Sequence, residues 1–83
     1  MSYILSRHAR GALEERQIEL AWLERTLAEP DRRERDAVYP EIEHRVKGIP
    51  EFGNRVLHVI VDDSGDPERV VTVFFDRRLR GAR

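Results

Sequence analysis

The chain has 83 residues, 40% of them apolar and 37% charged, with a net charge of −1 and no cysteine. That length makes one domain, residues 1–83, with a thin core and little room for a second unit. Without cysteine there are no disulfides, zinc–thiolate sites or thiol catalysis, and no apolar run nears the roughly 20 residues of a membrane span. No signal peptide precedes the domain, so a cytoplasmic protein is expected. Fourteen of the fifteen basic residues are Arg and only Lys47 is Lys. A GC-rich genome would produce that bias, and so would a need for planar guanidinium forks on phosphates or carboxylates.

Tyr3-Ile4-Leu5 reads as a short edge strand. Ser6 then offers a hydroxyl cap to a helix running to about Arg16 through Ala9, Ala12 and Leu13. Leu20, Leu23 and Leu27 recur at spacings of three and four, one face of a second helix that Pro30 ends. Ile18, a cap at Glu19 and Leu23 have the spacing of a hydrophobic staple, although Glu is a poor cap. The six charged residues from Asp31 to Asp36 read as a solvated loop.

The second half is β-rich, since seven of the eight valines lie between Val46 and Val73. Ile42, His44 and Val46 alternate with Glu43, Arg45 and Lys47, which predicts a half-buried strand with the charged set facing water. Residues 48–54 are turn material, and Arg55 to Val61 is the apolar run of a central strand. Asp62 to Glu68 is a hairpin connection, Val70 to Phe75 the last strand, and Asp76 to Arg83 a basic tail. The order β-α-α-β-β-β predicts an α+β fold, two amino-terminal helices on one face of a small antiparallel sheet.

His8-Ala9, Glu15-Arg16, Ile18, Leu23, Leu27 and Pro30-Asp31 resemble the amino-terminal signature of a bacterial family, the domain of unknown function 4258. Arg55 to Val59 and Val70 to Val73 resemble its last two strands. That family usually carries Arg and Gly where this chain has Ala12 and Gln17. Gln17 is costly if its position needs a positive φ, where Gly is the cheap residue. In layout the family is similar to the RelE and ParE toxins, two helices against an antiparallel sheet. The resemblance implies a toxin-type endoribonuclease acting on RNA, with an antitoxin as partner. A ParE-like member would act on gyrase instead.

Cleaving RNA without a metal needs a base for the 2′-hydroxyl, a cation for the pentavalent phosphate and an acid for the leaving oxygen. His8, at the start of the first helix beside Arg7 and Arg10, is a candidate. His58 is the second, on the strand face opposite Leu57, Val59 and Val61, with Thr72 and Asp76 as polar company if they point the same way. His44, between Ile42 and Val46, reads as a core or edge histidine. Arg16, Arg45, Arg77 and Arg78 are the candidate phosphate contacts, the last two in a tail with four Arg in its final seven residues. Trp22 either anchors a partner or wraps onto the helix-pair interface. A non-catalytic module binding a protein through the Trp22 face or the sheet edge is the competing reading. Three histidines without ligand-pair spacing predict no metal site, and no glycine-rich phosphate loop or nucleophile elbow predicts a cofactor.

Overall fold

A computed structural model describes residues 3–79. The order is β1 (Tyr3–Leu5), α1 (Arg7–Glu15), α2 (Leu20–Ala28), β2 (Arg32–Arg35), β3 (Ile42–Ile49), β4 (Arg55–Asp62) and β5 (Glu68–Phe75), with a 3-10 turn at Pro50–Phe52. The strands form one five-stranded sheet ordered β1-β5-β4-β3-β2. The α+β architecture expected from the sequence is present, with two refinements. The sheet is mixed, because β1 runs parallel to β5 while all other pairs are antiparallel. A fifth strand, β2, occupies the edge. No helix among the described residues is long and apolar enough to cross a membrane.

Local chemistry sets the helix ends. Ser6 Oγ accepts from the Ala9 amide at 3.0 Å and donates to the Val71 carbonyl at 2.8 Å, so one hydroxyl caps α1 and ties it to β5. Ala9 and Ala12 are buried, and their small side chains let α1 lie close on the sheet. At the far end Ile18 N–H donates to Leu13 O at 2.9 Å and Gln17 N–H to Glu14 O at 3.3 Å. This is a Schellman motif, and it forces its penultimate residue into the left-handed region. Gln17 sits there at φ 53°, which gives the physical reason for a glycine at this position. Glu19 caps α2 without a side-chain hydrogen bond, and Ile18 and Leu23 are both buried in the core it introduces.

The buried stripe of α2 is Trp22, Leu23, Thr26 and Leu27, while Leu20 is about half exposed. The stripe is therefore rotated from the predicted one. It packs with Ala9, Ala12 and Ile18 on Ile49, Leu57, Val59, Val61, Val70 and Val73, making one core between helices and sheet. Trp22 is 8% exposed, with ring centroids 5.6 Å from Phe52 and 6.1 Å from Phe75. Both readings offered for Trp22 change: burial corrects the partner-anchor role, and the indole is covered by the turn after β3 and the end of β5 rather than by a helix-pair interface.

Two further expectations change. Arg32 to Arg35 pair with Val46 to Glu43 in an antiparallel ladder, so the charged run is a strand rather than a loop. All four residues are exposed, and an edge strand with neither face buried carries no apolar alternation to announce it. On β3 the charged set faces inward: Glu43 and Arg45 are buried at 7% and 3% exposure on the helix side. Arg45 bonds Glu43 through Nε at 2.6 Å and Glu68 through both terminal nitrogens at 3.1 and 2.6 Å. It also reaches the Leu27 carbonyl at 3.4 Å, and Lys47 Nζ donates to Glu29 O at 2.7 Å. The open carbonyls at the end of α2 draw these cations under the helix.

Candidate functional site

With the charged residues of β3 turned toward α2, the opposite face carries Ile42, His44 and Val46. The register then decides which side chains meet. Val46 pairs with His58 on β4, and His58 pairs with Phe74 on β5. The Asp76 amide donates to Val56 O at 2.9 Å, extending the β4–β5 ladder by one rung. His44, His58 and Asp76 are therefore diagonal neighbours on one face, a step of two residues at each strand.

Their polar atoms form a continuous chain. Asp36 Oδ1 lies 2.7 Å from His44 Nε2, His44 Nδ1 lies 2.8 Å from His58 Nε2, and His58 Nδ1 lies 3.0 Å from Asp76 Oδ2. Arg78 closes the inner end, its Nε and Nη2 each donating to Asp76 at 3.1 Å and its backbone amide at 3.0 Å. The other Asp36 oxygen accepts from the Val38 and Tyr39 amides at 3.0 Å each, fixing the β2–β3 connection. The His58 ring also stacks on Phe74 at 4.8 Å. Among the described residues no buried side-chain nitrogen or oxygen lacks a partner.

The chain runs from solvent to interior. Asp36 and His44 are about one quarter exposed, His58 less, and the Asp76 carboxylate is 2% exposed. Burial pushes the His58 imidazole below its ordinary value, opposed by its hydrogen bond to Asp76. Three bonds from Arg78 and one from His58 hold Asp76 well below the usual carboxylate range. His44 and the two loop amides lower Asp36 to about 2. Both carboxylates are thus anions at neutral pH. The chain forms the floor of an open cleft of about 460 Å³, lined among others by Arg32, Glu34, Asp36, His44, His58 and Arg78. Arg32 and Glu34 enter from β2, paired with Val46 and His44 and so facing the same side.

Of the residues singled out in the sequence, His58 and Arg78 are in this cleft and Asp76 does give His58 its company. His8 is exposed on α1, in the helix layer on the other side of the sheet, and the fold does not bring it near His58. Arg16 is the exposed C-cap of α1. Arg45 is buried against Glu43 and Glu68, so its assignment to a phosphate is corrected: its donors are already satisfied inside the protein. Arg77 is exposed beside Asp76. Arg80 and Arg83 of the tail lie outside the described residues.

Sequence reasoning missed His44, Asp36, Arg32 and Glu34. The first was within reach, because a hairpin centred on the 48–54 turn sets His44 diagonal to His58. The other three were hidden by reading the Asp31–Asp36 run as loop. No group of three or more His, Cys, Asp or Glu among the described residues is arranged to hold a metal ion.

No curated protein and no solved structure matches this chain. A family model described as "Domain of unknown function (DUF4258)" matches residues 5–75, from the end of β1 to the last residue of β5. The chain belongs to the DUF4258 family.

Proposed function

We propose that the cleft on the open face of the sheet acts on RNA as a metal-independent endoribonuclease site, in a toxin-type domain of the RelE and ParE kind working in the cytoplasm. The observation that carries this reading is the Asp76–His58–His44 chain, which leads from a buried carboxylate to an imidazole at the cleft surface, between Arg32 and Arg78. His44 replaces His8 as the partner of His58, since it shares the cleft.

In this reading the 2′-oxygen attacks phosphorus and the bond from phosphorus to the 5′-oxygen breaks, leaving a 2′,3′-cyclic phosphate and a 5′-hydroxyl. A cleft carboxylate takes the 2′ proton. His44 gives its Nε2 proton to the leaving oxygen, and the cleft carboxylate then returns the proton it took to Nε2, while the hydrogen bonds to His58 and Asp76 hold the ring in place. Arg32 and Arg78 offset the charge that develops on the phosphorane.

RNA incubated with purified protein and chelator tests this, beside His44→Ala and His58→Ala and a 2′-deoxy substrate. Cleavage by wild type, a loss of at least 100-fold in each variant and an inert deoxy substrate are expected. No cleavage by wild type, or equal cleavage by wild type and both variants, refutes it.

A second reading, a protein-binding module such as an antitoxin would need, is favoured by one observation. The β2 edge is exposed along its length and is followed by Val38 and Tyr39 at 73% and 60% exposure. Loss of binding in a β2 variant, with RNA untouched by wild type, would favour it.

A further inference from the structure

Three hydrogen bonds link two imidazoles and two carboxylates in the cleft, and each requires one proton. The carboxylates supply none: Asp76 receives four donors, and Asp36 receives two backbone amides besides His44. Three protons must therefore sit on four ring nitrogens. The pair carries one positive charge, with one ring an imidazolium and the other neutral. His44 is the more exposed ring, so the positive charge of the pair costs less at its end, at the cleft surface.

The groups facing this pair come from every neighbouring segment. They are Arg32 and Glu34 of β2, Asp36 of the β2–β3 connection, and Asp76 and Arg78 after β5. The outward donor, His44 Nε2–H, is covered by the Asp36 carboxylate at 2.7 Å. Asp36 is itself an anion on a connection whose Val38 and Tyr39 side chains stand in solvent. Its backbone stays tied by its amide to Ile42 O at 2.9 Å, so turning the side chain alone uncovers His44.

We infer that this cleft is an anion site for a phosphodiester, built on a singly protonated His44–His58 pair and closed in the resting protein by the Asp36 carboxylate. The site is the one proposed above to act on RNA, and the inference rests on that reading for its ligand class. The phosphodiester oxyanion takes the place of one carboxylate oxygen on His44 Nε2–H, while Arg32 and Arg78 provide further charge at the rim. Asp36 then acts as a built-in competitor that sets how much ligand is needed to open the site.

Binding is measured with inorganic phosphate and with a 2′-deoxy dinucleotide, which carries the diester and lacks the 2′ nucleophile. Failure of RNA cleavage therefore leaves this test intact. Asp36→Asn keeps an acceptor for the Val38 and Tyr39 amides and removes the competing charge. It is expected to bind the dinucleotide at least tenfold more tightly than wild type. Glu34→Gln, which removes an equal charge opposite His44 without freeing a donor, is expected to change binding by less than about threefold. Adding His44→Gln to Asp36→Asn should abolish the gain. In wild type near pH 7, ¹⁵N spectra of the two rings should show three bound protons between them, a readout independent of any variant's folding. The inference is overturned by two or four ring protons, by Asp36→Asn binding no tighter than wild type, or by Glu34→Gln matching it. Binding of free phosphate without the dinucleotide also overturns it.

Discussion

Replacing Arg45 with Met tests whether the charged face of β3 is interior structure or a binding surface. The guanidinium is 4% exposed and bonds Glu43 at 2.6 Å and Glu68 at 2.6 and 3.1 Å. Met fills much of the same volume but leaves Glu43, at 7% exposure, with Arg33 and Arg35 only at 3.8 Å. Removing one partner of a buried pair costs about 3–5 kcal/mol, mostly through the charge left behind. Glu68 is a quarter exposed and can rehydrate, so the lower end, about 3 kcal/mol, is expected. A domain of 83 residues has about 4–12 kcal/mol in total. The melting temperature should therefore fall by about 12–24 °C. Urea unfolding followed by the fluorescence of buried Trp22 measures the loss. The double variant Arg45→Met, Glu43→Leu removes the stranded carboxylate as well and should recover most of the stability. A loss under about 1 kcal/mol in the single variant, or no recovery in the double, would refute the reasoning. If Arg45 instead contacts phosphate, nucleic-acid binding would drop in a variant of unchanged stability.

Gln17→Gly relieves a side chain held at φ 53° in the Schellman turn. Left-handed backbone costs an L-residue roughly 1–2 kcal/mol and the added chain entropy returns part of that, so a net gain of about 0.5–1 kcal/mol is expected by thermal melting. Trp22→Ala empties a site packed by Phe52 and Phe75 and should cost about 3–5 kcal/mol, read as a fall in urea midpoint by circular dichroism. A surface anchor would leave that midpoint unchanged. For pH, the His58 value is depressed in the folded state by burial. Its contribution to stability is therefore complete above the unfolded value near 6.5 and is lost as pH falls through the lower folded value. Urea midpoints should decline from pH 7 downward as a second proton breaks the His44–His58 bond, and His58→Gln should flatten that slope.

The family resemblance read from His8-Ala9 through Pro30-Asp31 and the last two strands agrees with the matched span, residues 5–75. Both helices, the three long strands and the outward aim of His58 were legible, because each follows from local rules. A hydroxyl begins α1, apolar spacings of three and four run along α2, and alternation of two marks the strands. The strain at Gln17 was raised only by the resemblance, whose family carries Gly there, and the φ of 53° supplies the condition on which it depended. The orientation of β3 was not legible. Alternation of polar and apolar residues says that a strand has two unlike faces, not which face meets the helices. Here the carbonyls ending α2 drew Arg45 and Lys47 inward.

The candidate site lay further from reach. His44 and His58 are fourteen residues apart, and His58 and Asp76 eighteen. Only strand register places them on one diagonal. Asp36 needed β2 as well, a strand of Arg and Glu whose reason to exist is the open edge of β3 rather than its own composition. Composition and local pattern thus determined a small charged α+β domain with an Arg excess. Tertiary structure decided which of those charges are interior ion pairs, and it joined two histidines that sequence alone had separated. The physical reason is range: helix and strand preferences act over three or four residues, whereas pairing across a sheet depends on where distant strands stop.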